Sequence, residues 1–397
     1  MIESVSNKCS GCSACASICP KGCISMRPNS EGFLYPFVNQ DVCIKCGLCE
    51  KTCPVLHPPV FGENEVPMAY AVQNRDENIR MDSTSGGAFT AIAQYVLDRS
   101  GVVFGAIFDE NFDVVHYYVE RKEDLHKLRR SKYVQSRIGS SFKQAKEFLD
   151  KGRWVCFSGT PCQIGGLKSF LRKDYDNLVS VDIACHGVPS PKFWSEYKQF
   201  QENKYSSKIH FADFRYKKNG YSSSVMALKF ENGKKYFHGH ESDYMLKAFF
   251  SEIVSRKSCS NCSFKTLKRV SDFTIFDCWS IGKINKSMDD NKGTTAVLIH
   301  SKQGEKIWNE IMPSFVASNV DAKKAVALDG DMVIASKKAN PRRDEFFRDL
   351  NLFDFENVCN RYIPITKKDL LKKTLKPLLY KLGILKRINQ IMRVCKK

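Results

Sequence analysis

Short apolar runs alternate with stretches of helical period from residue 68 onward, and that alternation sets the expected architecture. Met68–Asn74 (MAYAVQN) has strand character, and Asp82–Gly87 (DSTSGG) opens an apolar helix, AFTAIAQYVLD. Strands are predicted at Val102–Phe108 and Val114–Val119, helical patterns over 122–130 and 138–150, and a buried strand at Trp154–Phe157. Two strand–turn–helix units follow. Val155–Cys162 leads to a helix starting near Gln163, and Val179–Gly187 leads to a helix after Pro189. Strands alternating with helices predict an α/β layer rather than a bundle. Segment 54–67 (PVLHPPVFGENEVP), rich in proline and polar residues, reads as a connector. Near the carboxyl end, LLKKTLKPLLYKLGILKRINQIM interleaves apolar positions with lysines, and Pro377 and Gly383 are expected to break it into short helices.

Composition narrows the class. The chain has 397 residues, 43% hydrophobic and 12% aromatic, enough for a substantial core and too apolar for disorder. No run of about twenty uninterrupted apolar residues predicts a transmembrane helix. The start, MIESVSNKCSGC, lacks the basic and apolar regions of a secretory signal, so a cytoplasmic protein is expected. In that reducing compartment seventeen cysteines read as metal ligands rather than disulfides, and nine of them fall between Cys9 and Cys53. The net charge of +19 is concentrated at the carboxyl end, where Lys367–Lys397 holds eleven basic residues against Asp369. Nucleic acid is the usual first suspect for such a balance, but no recognition motif accompanies it. Acidic redox partners or peripheral contact with an anionic membrane explain it equally well, as does a solvated helix packed on its own domain.

The first cysteine group is Cys9-x2-Cys12-x2-Cys15-x3-Cys19-Pro20, restated as Cys43-x2-Cys46-x2-Cys49-x3-Cys53-Pro54. This is the bacterial run for two [4Fe–4S] clusters, in which the fourth cysteine crosses to the other cluster. One cluster then takes Cys9, Cys12, Cys15 and Cys53, and the other Cys43, Cys46, Cys49 and Cys19. Gly11 and Gly47 are expected to relieve crowding where backbone approaches sulfide. Zinc also suits paired CxxC units but does not need the repeated Cx3CP ending. Cys23 lies outside the pattern and reads as a small buried hydrophobe.

Further along, Cys162 and Cys185 end the two strand–turn units, and parallel strands deliver their carboxyl ends to one sheet edge. With Cys259 and Cys262 in a polar loop, four cysteines can converge on a third cluster. Other readings stay open: Cys162 at a helix N-terminus as a low-pKa thiol, or Cys259 and Cys262 as half of a zinc site. Cys156, Cys278, Cys359 and Cys395 lack partner spacing and read as structural. Ser83–Gly87 at a helix start suits an anion such as a cofactor phosphate, or an ordinary N-cap.

Several motifs occur together and in order: Ser83-Thr84-Ser85-Gly86-Gly87, Ser131–Ser136 (SKYVQS), Gly159-Thr160-Pro161-Cys162-Gln163, Cys185–Pro191 (CHGVPSP), Cys259–Cys262 and Ser271–Ile275 (SDFTI). In these the chain resembles the coenzyme F420 hydrogenase/dehydrogenase β-subunit family, which also includes chlorophyll-pathway reductases, over about residues 1–305. The resemblance implies FAD and a flavin-proximal [4Fe–4S] cluster. It implies that Ser85, Gly86 and Gly87 cradle part of the FAD, with Lys132, Tyr133 and Thr160 nearby. His186 is the histidine beside the crevice that can relay a proton; a histidine satisfied by backbone bonds fits as well. Where the family commonly has Gly-Asp-x-Trp-Gly, this chain has Phe276-Asp277-Cys278-Trp279-Ser280, with both glycines replaced.

The expected organisation is multidomain, α+β with α/β: a ferredoxin-type module (1–57), a linker (58–67), the two parts of an α/β flavin-binding domain (68–150 and 151–345) and a basic helical tail (346–397). The expected function is an FAD- and [4Fe–4S]-dependent oxidoreductase acting on an organic substrate with a redox partner protein. The alternative is an electron-transfer subunit of a larger complex without its own substrate.

Overall fold

The computed structural model describes residues 2–59, 66–385 and 388. Most of the linker, Cys395 and the end of the basic tail lie outside the described residues. The amino-terminal segment folds around a hairpin of β1 (Ile24–Pro28) and β2 (Leu34–Val38), with Ile24 opposite Val38. Its small core mixes Ile2, Val5, Ile24 and Val38 with the cysteines themselves.

The main body is built on an eight-stranded mixed sheet. Its strands are β3 (Met68–Asn74), β4 (Val102–Phe108), β5 (Val114–Val119), β6 (Val155–Gly159), β7 (Leu178–Ile183), β11 (Phe273–Asp277), β12 (Thr295–Ile299) and β13 (Phe315–Asn319). The order is β13-β3-β12-β11-β7-β6-β4-β5. The centre, β4-β6-β7-β11, is parallel, and antiparallel strands extend it at both ends. Period-2 alternation divides the side chains between two cores. Val103, Cys156, Val179 and Phe273 pack under the helices Ala88–Leu97 and Lys302–Ile311. Val102, Phe104, Val155 and Phe157 pack under Ser141–Asp150 and Pro161–Leu171.

Between β7 and β11 the chain makes an excursion: the helix Pro191–Tyr205, an antiparallel sheet of β8 (Ile209–Tyr216), β9 (Val225–Phe230) and β10 (Lys235–His238), and the helix Tyr244–Phe250. Its core takes in Phe346, Phe347, Leu350, Val358 and Cys359 from the helices Arg343–Leu350 and Phe355–Tyr362. The first part of the stretch assigned to the tail therefore belongs to a core, because its own apolar faces are buried there.

Local expectations are corrected at three places. The helical pattern at 122–130 is a 3-10 helix, Lys122–Lys127, ended before Arg130 takes a left-handed conformation. The helix after β6 starts at Pro161, two residues before Gln163, because proline suits the first turn and Thr160 with Gln163 forms a capping box. Pro377 does not break its helix, which runs from Lys367 to Lys381. It removes one backbone donor, and the helix continues on its remaining hydrogen bonds. Gly383, at φ +72°, does follow the helix end.

Candidate functional site

Six of the eight ferredoxin-type cysteines lie in or against the amino-terminal core, and Cys12 packs into a core of the main body. Burial pushes the Cys12 thiol up to about 12, and the neighbouring Cys9 and Cys53 push the same way. Cys15 is raised by burial and then by Cys12, Cys9 and Cys53. Cys9, Cys12, Cys15 and Cys53 are thus one neighbourhood, in which thiolates form only when a cation compensates them. That donor chemistry fits an iron cluster. Gly11 N–H lies 3.4 Å from Cys9 Sγ. In the second set, Cys19, Cys43 and Cys49 pack against the small core and Cys46 is exposed. Cys23 is buried as expected, with its sulfur 3.3 Å from Cys19 Sγ.

Gly47 adopts φ +74°, a backbone conformation that favours glycine. Gly11 shares that φ, and a Cβ there would lie 2.6 Å from Gln135 Nε2 and 2.9 Å from Arg256 Nη1. At Gly11 the main body contributes to the crowding. Arg256, 1% exposed, donates to Cys9 O (2.7 Å), Leu34 O (3.0 Å) and Gln135 Oε1 (3.0 Å), and Gln135 donates to Ser10 O (3.0 Å).

The carboxyl ends of β6 and β7 bring Cys162 and Cys185 together, and the 3-10 turn Lys257–Asn261 with the residue after it adds Cys259 and Cys262. Cys162 is raised well above a free thiol by burial and then by Cys262, Cys185 and Cys259. Its desolvation and the three neighbouring sulfurs weigh against the low-pKa thiol expected at this helix start. Among the described residues no group of three or more His, Cys, Asp or Glu is drawn tightly enough to hold a single metal ion. A cubane holds its four thiolates further apart, across the cluster.

The same sheet edge opens into a cavity of about 540 Å³, within the usual range for a small-molecule site. Ser85, Gly87, Lys132, Tyr133, Thr160, Cys162, Cys185 and His186 all line it. Gly86 does not: a Cβ there would overlap Val72 O and lie 2.6 Å from Thr295 N. Its N–H donates to Thr295 Oγ1 (2.7 Å) and its carbonyl accepts from Asn74 N (2.8 Å), so it locks the loop to β12 and β3. Lys132 points two hydrogen bonds at Arg129 O (2.9 Å) and Arg130 O (3.4 Å), and burial lowers its amine to about 8. It braces the loop that forms the cavity wall.

The excursion contributes wall residues that the sequence reading missed. Arg215 donates to Asp277 Oδ2 (3.0 Å), Tyr133 OH (3.1 Å) and Ser224 Oγ (2.9 Å), and its guanidinium lies 4.6 Å from the Trp279 ring. Its side chain is 10% exposed, and its Nη2 has no hydrogen-bond partner. Asp277 and Trp279 thus stand in the wall although the flanking glycines are replaced; Phe276 packs into the core against Gly330. His116, lowered to about 4 by burial, holds Ser158 O (3.0 Å) and Ser136 Oγ (2.8 Å) as a neutral ring. His186 has Glu252 at Nε2 and Met332 Sδ 2.9 Å from Nδ1. Only the Asp277-x-Trp279 remnant could have signalled this wall, since Arg215 lies 62 residues from its partner.

A 4Fe-4S dicluster domain matches residues 8–56. The amino-terminal and carboxyl-terminal models of the coenzyme F420 hydrogenase/dehydrogenase beta subunit match residues 69–143 and 152–323. The coenzyme F420-dependent sulfite reductase of Methanocaldococcus jannaschii is 25% identical over 77% of this chain, which spans 46% of that protein's length. A subunit of the F(420)H(2) dehydrogenase of Methanosarcina mazei is 20% identical over 89% of this chain and 93% of its own. A chain of the F420-reducing [NiFe] hydrogenase complex from Methanosarcina barkeri aligns with a TM-score of 0.43 at 16% identity, over 76% of this chain and 94% of that one. No helix among the described residues is long and apolar enough to cross a membrane. With both regions present in order behind a dicluster domain, the chain belongs to the coenzyme F420 hydrogenase/dehydrogenase beta-subunit family, as an iron–sulfur, electron-transferring member.

Proposed function

We propose that this protein is an FAD- and [4Fe–4S]-dependent oxidoreductase that moves electrons between its ferredoxin module and an organic substrate at the cavity. Cys9, Cys12, Cys15 and Cys53 hold one cluster; Cys43, Cys46, Cys49 and Cys19 hold the second. Cys162, Cys185, Cys259 and Cys262 hold a third at the cavity wall. FAD, when bound, supplies the exchange between single electrons and a hydride. Ser85, Gly87, Tyr133 and Thr160 line its binding space, Gly86 fixes the loop, and Lys132 braces the wall. The unpartnered Nη2 of Arg215 is available to a carbonyl or anionic oxygen of the bound molecule. His186, oriented by Glu252, is the proton relay.

One observation carries the reading: Cys162 and Cys185 line the same cavity as residues 83–85, 87 and 131–136. The relatives' names make coenzyme F420 the first substrate to test. Anaerobic purification with iron, sulfide and flavin quantitation is expected to give about twelve iron and one FAD per chain. About eight iron without flavin overturns the proposal. A second reading, a relay without its own substrate, draws on the relative named as a dehydrogenase subunit, most of whose length is matched. A fully loaded chain that exchanges no electrons with F420 until a partner protein is added favours the relay.

A further inference from the structure

The helix Lys367–Lys381 is packed inside out. Asp369, Lys373, Lys376 and Tyr380, spaced i, i+4, i+7, i+11, form one stripe; its first three residues face the body, and Tyr380 at its end is 41% exposed. Asp369 pairs with Lys247 (2.9 Å) and Lys376 with Glu241 (2.6 Å). Lys373 lies near Lys204 and His238. Tyr380 closes on Gly220, where a Cβ would come within 3.1 Å of its ring. Leu371, Leu375, Leu378 and Leu382 repeat the same spacing two residues on, roughly 200° around the axis. They are 59%, 40%, 53% and 63% exposed. A helix held by its own domain buries its apolar stripe and turns its charges to water; this one does the reverse.

Lysines flank the exposed stripe. At about 100° per residue, Lys368 and Lys372 fall on one side of it and Lys367 and Lys381 on the other, and all four are exposed. Asp369, the sole acid of 367–397, is on the packed face. A second copy docking here would bring like-charged rows together. An apolar protein groove would leave the lysines unmatched. An anionic bilayer meets both features: leucines enter the acyl boundary while lysines reach the headgroups.

We propose that this helix is an interfacial membrane anchor for anionic lipid. The packed face borders the cavity through Lys376, so lipid contact holds the cavity within one helix diameter of the headgroups. The inference is independent of what occupies the cavity.

The test uses the full chain, purified anaerobically, in co-sedimentation with phosphatidylcholine vesicles with and without phosphatidylglycerol. Sedimentation with the anionic vesicles only, weakened by high salt, is expected. Lys368→Gln/Lys372→Gln/Lys381→Gln is expected to lower partitioning on the order of a hundredfold. Leu371→Ser/Leu375→Ser/Leu378→Ser is expected to abolish it, with iron content and unfolding midpoint unchanged. Absence of binding to anionic vesicles overturns the proposal, as does binding indifferent to both variants. A dimer in light scattering that the leucine variant dissolves reassigns the stripe to a second copy and equally overturns it. Should the leucine variant misfold, the lysine variant alone decides.

Discussion

Arg256 offers the sharpest test of how the cluster module is fixed to the body. It is almost wholly buried, and its three hydrogen bonds run to Cys9 O, Leu34 O and Gln135 Oε1. Arg256→Ala leaves these acceptors unequally served. Cys9 O keeps the Ser258 hydroxyl at 3.0 Å. Leu34 O has no hairpin alternative: Asn29 N donates to Phe33 O, so 29 and 33 are the hydrogen-bonded pair and the Leu34 carbonyl points out of the ladder. Two stranded acceptors at roughly 1–3 kcal/mol each, with the lost cation–π contact to Tyr35, amount to about 4 kcal/mol. Arg256→Lys reaches one acceptor at a time and should lose about half as much. The loss falls on the interface, so anaerobic urea titration should split in two, with visible cluster absorbance bleaching before the body's far-UV signal. A single transition at the wild-type midpoint in both variants would refute the reasoning.

Three further outcomes are expected. Gly86→Ala should cost about 2–3 kcal/mol, because the obstructing atoms are backbone of β3 and β12 that cannot move aside; a thermal midpoint within a degree of wild type contradicts this. His116 binds its proton more weakly folded (about 4) than unfolded (6.5), so the unfolded chain takes up the extra proton and stability falls as pH drops through that window. The contribution is at most about 3 kcal/mol; His116→Gln should flatten the slope of urea midpoint against pH, and an unchanged slope counts against it. Cys162→Ser should remove about four iron and leave the ferredoxin-module signals in electron paramagnetic resonance, whereas Cys156→Ala, in the sheet core, should remove none.

Much of this was legible in the chain because it is local. Short apolar runs located β4 and β5 to the residue, and the strand–turn–helix units placed Cys162 and Cys185 at one edge. What escaped depends on tertiary packing. Gly86 sits among residues that suggest a ligand cradle, and only the sheet shows that its missing Cβ makes room for Val72 and Thr295. Arg215 and Asp277 meet across the excursion between β7 and β11, and no spacing announces them. The tail was amphipathic on inspection, yet the sequence holds no sign that its lysine face would pack inward, because Glu241 and Lys247 supply the partners.

The helix Pro161–Leu171 shows how packing relates the two ends of the electron path. Its first turn carries Cys162 into the cavity. One turn later come Gly165 and Gly166, each of which costs about 1 kcal/mol in a helix interior relative to alanine. A Cβ on Gly165 would lie 2.5 Å from the Phe264 ring, two residues past Cys262. A Cβ on Gly166 would lie 2.8 Å from Cys12 Cβ and 2.9 Å from its sulfur. The adjacent glycines thus admit the Cys259–Cys262 segment on one side and the first ferredoxin loop on the other. Cys12 is thereby held about 6 Å along the helix axis from the level of Cys162. Neither approach tolerates even a methyl group, so the helix fixes the spacing between the ferredoxin module and the cysteines at the cavity as a rigid element.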